Sequence, residues 1–222
     1  MSDNLSAFNS AEYDENIKRT LPYYEELYTQ VVETVNAHFR KPIKWLDIGC
    51  GTGKMEETAF RSCEVEEMTA CDISPQMTEI TNKRFQDRNI KCVTSSVFDL
   101  NEKTSFDVVT AIQVFHYLHN EERAAAIQKC YDALKLNGMF ITFENFAPNS
   151  AIGEELFLKR WEAFQLSEGR STEECGKHIS RYKKAYFPIT IPEHLELLKR
   201  SGFENSEILW VSNMQVGLLG IK

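Results

Sequence analysis

Between residues 44 and 143 the chain alternates short apolar runs with amphipathic segments, and nothing else in the sequence restricts the fold as much. Residues 44–48, 65–71, 90–94, 106–112 and 139–143 read as strands. Residues 54–62, 75–85 and 120–135 read as the helices between them. Ser74 is a good N-cap, Pro75 suits a first helical position, and Asn137-Gly138 reads as a C-cap signal. Strands separated by helices pair in parallel through right-handed crossovers and build a doubly wound sheet. A helix over 192–200 and two strand-like runs, 208–211 and 215–221, close the chain. The Ser212-Asn213 turn between those runs forces them antiparallel. The expected class is therefore α/β, a mostly parallel sheet ending in an antiparallel hairpin, with helices on both faces.

A chain of 222 residues with no repeat and no Pro/Gly/Ser linker is expected to form one domain over 1–222. Tyr24, Leu27, Val31, Val35 and Phe39 recur at helical spacing, so residues 1–40 read as a flexible polar arm followed by one amphipathic helix. The formal net charge of −8 argues against a broad grip on nucleic acid. No apolar run approaches the roughly 20 residues needed to cross a bilayer. The polar start, Met1-Ser2-Asp3-Asn4, is unlike a targeting segment, which makes the cytoplasm the expected compartment. None of the six cysteines forms a C-x-x-C pair, so they read as reduced, small apolar side chains, and no metal is expected.

In a doubly wound sheet a ligand lies beyond the carboxyl ends of the strands, where the strand order switches. Asp47-Ile48-Gly49-Cys50-Gly51-Thr52-Gly53 closes the first strand and opens a helix. Glycines allow a tight turn there and a close approach of backbone to ligand. The spacing is G-x-G-x-G rather than the dinucleotide G-x-G-x-x-G, and Lys54 is followed by Met55 rather than a hydroxyl residue. Both facts argue against NAD(P) and against a Walker-type phosphate loop. Asp72 ends the second strand 19 residues after Gly53, where a carboxylate can accept both hydroxyls of a ribose. Asp99, after the third strand, can accept from an adenine amino group or cap its own loop.

Leu46 to Gly53, then Asp72-Ile73-Ser74-Pro75-Gln76-Met77, Phe98-Asp99, Phe106-Asp107-Val108-Val109 and Leu134 to Met139 together resemble the S-adenosylmethionine (SAM)-dependent methyltransferases of the seven-strand Rossmann-like type. The resemblance spans residues 44–145 and, less closely, 186–222; residues 147–184 show none. It implies SAM as cofactor and the strand order 3-2-1-4-5-7-6 with strand 7 antiparallel. It also implies that Gly49, Gly51 and Gly53 face the methionine part of SAM, with Asp47 and Cys50 in the same cofactor-binding set. Asp72 then holds the ribose, Ile73 and Met77 cover the adenine, Phe98 and Asp99 stand at its edge, and Ala111 to Gln113 border the methionyl group. The stretch Arg19-Thr20-Leu21-Pro22-Tyr23-Tyr24 is similar to a segment of the carboxy-SAM synthases, which implies that Tyr24 touches the cofactor. Those enzymes hold an extra carboxylate with an arginine, for which Arg181 is the nearest candidate.

Methyl transfer is an in-line displacement, so such a protein must mainly place a nucleophile about 3–3.5 Å from the methyl carbon and exclude water. A base is needed only where the nucleophile keeps its proton. His116, where many small-molecule methyltransferases carry a His-His pair, is the candidate base; capping its loop is the competing reading. Tyr13, Tyr23, Tyr24 and Tyr117 are candidate aromatic neighbours for a sulfonium cation. The insert 147–184 is a candidate substrate lid. Its Phe157, Trp161 and Phe164 stripe reads as core-facing, and its Lys177 to Lys184 run offers Arg181 as a binder of a carboxylate or phosphate, with Tyr117 nearby as a second acceptor-binding candidate. The leading expectation is a methyltransferase for a small-molecule acceptor, with an anionic one as the sharper form of it. A non-methylating SAM user like carboxy-SAM synthase, a SAM-binding regulator without turnover, and an NAD-dependent oxidoreductase stay open as alternatives. The sequence leaves the oligomeric state unknown.

Overall fold

The structure, a computed structural model, describes residues 4–222; residues 1–3, which carried part of the reading of the N-terminus, lie outside the described residues. In chain order the elements are α1 (Tyr13–Lys18), α2 (Tyr24–His38), β1 (Ile43–Ile48), α3 (Lys54–Ser62), β2 (Val65–Asp72), α4 (Pro75–Arg84) and β3 (Ile90–Thr94). They continue as β4 (Phe106–Ile112), α5 (Asn120–Ala133), β5 (Leu134–Asn145), α6 (Ala151–Ser167), α7 (Thr172–Ile179), α8 (Ile191–Arg200), β6 (Asn205–Ser212) and β7 (Gln215–Ile221). The seven strands form one sheet in the order β3-β2-β1-β4-β5-β7-β6. β1 pairs in parallel with β2 and β4, while β7 runs antiparallel to both β5 and β6.

The middle of the sheet is buried on both faces, which is why β1 and β4 read as near-continuous apolar runs rather than alternating ones. One core gathers Trp45, Val108 and Ile141 under α2 and α6, with Trp161 fully buried. The other gathers Leu46, Val109 and Phe140 under α5 and α8. Trp161 of the expected core-facing stripe donates its Nε1–H to the Thr20 carbonyl at 2.7 Å, which fastens the insert to the N-terminal segment. Among the described residues no helix is long and apolar enough to cross a membrane.

Four expectations need correcting. The fifth helix ends at Ala133 rather than 135, and β5 already begins at Leu134. Asn137-Gly138 is not a helix cap: Asn137, at φ 60°, is an irregular residue inside the strand. It donates its N–H to Lys222 O at 2.8 Å, and Lys222 N–H donates to Gly138 O at 3.0 Å, so the end of the chain extends the pairing there. The first forty residues hold two helices rather than one, separated by Tyr23 in the left-handed region at φ 57°. From Asn4 onward the segment before them is folded rather than loose, with Ser6 N–H donating to Asn4 Oδ1 at 2.8 Å. Ile17 of α1 is buried in the core, and the Asp14 carboxylate accepts from Thr52 Oγ1 at 2.5 Å.

Two carboxyl groups are buried where β1 meets α3. Asp47 accepts a hydrogen bond from the Thr110 hydroxyl, which itself accepts from Trp45 Nε1–H at 2.9 Å. Glu56 of α3 is fully buried. Burial and the neighbouring Asp47 charge push the Glu56 carboxyl well above the usual range, and burial raises Asp47 as well. A carboxyl whose folded value is raised favours the fold at acidic pH, and that contribution is lost as pH rises through the raised value. Replacing Glu56 by Gln is therefore expected to raise Tm relative to the parent, and the gap is expected to widen by several degrees between about pH 5 and about pH 8. In a chain of this size each kcal/mol is worth about 2–4 °C. Scanning calorimetry of the two proteins across that range decides it, and a gap that does not change with pH contradicts the shared burial.

Candidate functional site

The main cavity, of ≈ 250 Å³, opens at the carboxyl ends of β1, β2 and β4. Its floor is the turn leaving β1. Gly49 (φ +71°) has no room for a side chain, since a Cβ there would stand 2.4 Å from Val114 Cγ2. Gly51 (φ +54°) faces open space at the same point, so its backbone is bare toward the cavity. The turn is held from behind: Gly49 N–H and Cys50 N–H donate to Cys71 O at 2.7 and 3.0 Å, and Gly51 N–H donates to Asp72 Oδ2 at 3.0 Å.

Asp72 lines the cavity at the end of β2, and its other oxygen accepts Ser74 N–H at 2.8 Å. Burial raises its pKa, partly opposed by those N–H groups. Beyond it, Ile73 and Phe98 are exposed by 52% and 40% at the cavity lip, with Met77 buried behind them. Large apolar side chains left open at a cavity rim mark a surface that receives a partner, here a slot between side chains.

Not every expected residue faces this cavity. Gly53 is outside the lining, and a Cβ on it would meet Phe85 Cε2 at 2.6 Å, so a glycine there lets Phe85 pack close to the turn. Ala111 is fully buried in the sheet; the adjacent Ile112 and Gln113 line the cavity instead. Asp99 lies outside the lining and accepts Ser96 N–H at 3.1 Å, the loop-capping alternative. Cys50 sits behind the turn, its Sγ 3.7 Å from Cys92 Sγ. Tyr23 is exposed and meets the edge of Trp210 rather than the site. Tyr24 and Asp47 border a smaller recess of ≈ 20 Å³ under the glycine turn, where Tyr24 Oη accepts from Tyr28 Oη at 3.0 Å.

A second small cavity, ≈ 30 Å³, shares Ser6, Tyr13, Gln113 and Tyr117 with the main one. Gln113 occupies the junction in the left-handed region at φ 62°, its N–H bonded to Phe143 O at 2.7 Å. His116 and Arg181 both line this second cavity. His116 is buried on the 3-10 turn Phe115–Tyr117, its Nδ1 2.8 Å from Glu144 Oε2. Arg181 lines this cavity together with His178 of the same basic run, and it donates to Leu5 O of the arm at 2.8 Å. Lys177 and Lys183 instead form ion pairs with Glu173 and Glu154 at 2.6 and 2.5 Å. The arm residues Asn4, Leu5 and Ser6 border the main cavity.

Sequence reasoning missed Glu144, Asn145, His178 and Tyr186. Glu144 carried a signal, an acid near a strand's carboxyl end like Asp72. The other three are brought in by packing alone. Among the described residues no group of three His, Cys, Asp or Glu side chains is placed to hold a metal ion.

Residues 46–138 match the model of a family described as a methyltransferase domain. The chain is 23% identical over 216 residues to carboxy-S-adenosyl-L-methionine synthase of Staphylococcus epidermidis, spanning 95% of this chain and 92% of that one. In fold it is similar to the 1,6-didemethyltoxoflavin N1-methyltransferase of Burkholderia thailandensis, solved with its acceptor and S-adenosylhomocysteine. That likeness has TM-score 0.63 and 16% identity and covers 96% of this chain and 84% of that one. It is also similar to the magnesium protoporphyrin IX methyltransferase of Synechocystis with bound SAM, at TM-score 0.61 and 16% identity, over 90% and 79% of the two chains. With residues 46–138 matching a methyltransferase-domain model and seven strands in this order, the chain is similar to the Rossmann-like, SAM-dependent methyltransferases.

Proposed function

We propose that the protein transfers the methyl group of SAM to a small-molecule acceptor by in-line displacement. The observation that carries this reading is the continuity of two unlike cavities, an apolar slot beside Asp72 and a polar recess beside His116 and Arg181, meeting at Gln113 and Tyr117. The residues fit an adenosyl sulfonium. A side chain at Gly49 would collide with Val114, Gly51 opens on space, and a carboxylate stands at the end of β2. When bound, SAM supplies a methyl group already activated by a positively charged sulfur.

The chain's own residues then divide the remaining work. Asp72 holds the ribose hydroxyls with the lone pairs left over from Gly51 and Ser74. Ile73, Met77 and Phe98 bracket the adenine. The backbone of Gly49 and Gly51 borders the methionyl chain, and Tyr24 and Asp47 border its far end. Gln113 sits where the reacting centres meet, and Tyr13 and Tyr117 give it aromatic walls. The arm over the cavity and the insert beside it exclude water, which leaves the nucleophile less solvated. His116, Tyr117 and Arg181 form the acceptor side, with Arg181 suited to a carboxylate or phosphate. In this reading the protein works in the cytoplasm on a free metabolite.

A second reading, a non-methylating SAM user similar to carboxy-SAM synthase, draws on the relatives of that name and on Arg181 in the second cavity. A SAM-binding regulator would release no product. Mass spectrometry separates the three: methylated acceptor with S-adenosylhomocysteine, a carboxylated adenosyl product, or unchanged SAM.

Two substitutions test the assignment of sides. Asp72→Ala is expected to weaken S-adenosylhomocysteine binding about 10- to 100-fold by calorimetry, as loss of a charged hydrogen-bond acceptor is worth about 1.5–3 kcal/mol. Unchanged affinity contradicts the ribose role. Arg181→Ala is expected to raise KM for an anionic acceptor about tenfold or more, while S-adenosylhomocysteine affinity stays within about twofold. An unchanged KM for every anionic acceptor removes the anion-binding role.

A further inference from the structure

We propose that Cys50 and Cys92 form a reversible dithiol–disulfide pair, a modification site for peroxide-class oxidants that ties the glycine turn to β3. Its effect on cofactor binding rests on the methyltransferase reading; the sulfur chemistry does not.

Cys50 lies in the turn after β1 and Cys92 in the middle of β3, and their Sγ atoms are 3.7 Å apart. The two strands are not neighbours, since β2 runs between them. The sulfurs meet because the turn leans across the end of β2, where Cys50 N–H donates to Cys71 O. The positions are 42 apart in the chain, which is why no C-x-x-C spacing marked them. α4 covers the pair: Thr81 Oγ1–H donates to Gly51 O at 2.9 Å, and Thr78 O stands 3.9 Å from Cys92 Sγ. A disulfide needs its sulfurs at about 2 Å, so the two side chains have only a short gap left to close.

The two thiols differ in exposure and in acidity. Cys92 is half-buried, whereas Cys50 is buried. A hydrogen bond from the Cys50 S–H holds the Cys92 thiol below its usual range, against burial and the charges of Asp72 and Asp47. The same bond, with burial, pushes the Cys50 thiol well above the usual range. The thiolate is the reactive form of cysteine, so Cys92 meets the oxidant while Cys50 waits behind it with its proton. The other four cysteines are poorer targets. Burial raises Cys63 to about 11 and Cys71 to about 12, and it raises Cys130 well above the usual range. Cys175 is fully buried.

In the first step the Cys92 thiolate attacks a peroxide oxygen and the oxygen–oxygen bond breaks. Hydroxide leaves and takes up the proton that Cys92 had released, which yields water and a Cys92 sulfenic acid. The Cys50 sulfur then attacks the Cys92 sulfur, the sulfur–oxygen bond breaks, and the departing hydroxide takes the Cys50 proton as a second water. The sulfurs have given two electrons to the peroxide, and two molecules of a small thiol return them by exchange. In a reducing compartment such a disulfide is transient. The bond reaches the main cavity through the neighbours of Cys50, since Gly49 and Gly51 both line it. Gly49 is already packed against Val114, and Gly51 N–H is bonded to Asp72 Oδ2 at 3.0 Å. Drawing Cys50 toward β3 therefore shifts the backbone that borders the cavity and loosens the bond that fixes Asp72.

The test treats the full reduced chain with hydrogen peroxide, blocks the remaining thiols with iodoacetamide, and digests it with trypsin in the absence of reductant. The expected product is peptide 45–54 joined to peptide 92–103, lighter than their sum by two hydrogens and separated again by dithiothreitol. Sulfinic or sulfonic acid on Cys92 without the joined peptides overturns the proposal. A disulfide between two copies of the chain, or one that uses another cysteine, overturns it as well. Brief iodoacetamide treatment of the untreated protein is expected to label Cys92 before Cys63, although both are half-buried. The reverse order overturns the division of roles. Calorimetry is expected to show S-adenosylhomocysteine binding weakened about tenfold in the oxidised protein, the scale of one lost hydrogen bond, with full recovery on reduction. Cys92→Ser is expected to match the reduced parent and to ignore peroxide. Equal affinity of the reduced and the fully disulfide-bonded parent overturns the effect on the cavity, as does an equal loss in peroxide-treated Cys92→Ser. No binding to the reduced parent strikes the methyltransferase reading alone and leaves the joined peptides standing.

Discussion

The turn that leaves β1 is held by acceptors on the neighbouring strand. Cys71 O takes two of its amide protons and the Asp72 carboxylate takes a third. Because β1 is buried on both faces, its chain can leave only at the strand's carboxyl end, and these bonds decide how sharply it turns there. The glycines permit the turn but do not aim it. A single carboxylate both shapes the loop and stands beside the space that the loop leaves open. The main cavity is thus preorganised on this side, since the carboxylate that lines it is already fixed by backbone donors.

The second cavity is assembled differently. It draws on the 3-10 turn after β4, the end of β5, the insert and the N-terminal arm, four segments that no short stretch of sequence unites. His116 and Asn145 are buried there and bonded within the protein, while the buried Tyr186 Oη and His178 Nδ1 have no partner in it. Burial lowers His178 to about 3 and His194 to about 4, while the bonds to His116 and Thr142 hold the buried Glu144 carboxyl below its usual range against its burial. Charge in this region is therefore sparse and directed, and the low polarity around it strengthens each remaining interaction.

This difference explains what the sequence made legible. The strand ends, the glycine turn and Asp72 follow from local periodicity and from one sheet-level rule, so the order of strands and the main cavity were readable in advance. Gly53 and Ala111 were assigned to the cofactor by motif position, yet a motif does not show which way a residue faces. Phe85 packs where a Gly53 side chain would project, and Ala111 lies between neighbouring strands. Asn137-Gly138 imitates a helix cap because a left-handed residue serves a strand irregularity equally well. Glu144 and Asn145 were overlooked because their meaning comes from a turn some thirty positions earlier. His178 and Tyr186 lay in the insert, where no pattern pointed inward.

The contact between Arg181 and the Leu5 carbonyl has a kinetic side. The arm borders the main cavity, α1 and the insert border the recess, and one guanidinium ties the arm to the insert across them. A single exposed hydrogen bond of this kind is worth only about 0.5–1.5 kcal/mol, so it can open without disturbing the packing around it. Arm and insert can therefore separate and rejoin locally while the sheet beneath them stays intact.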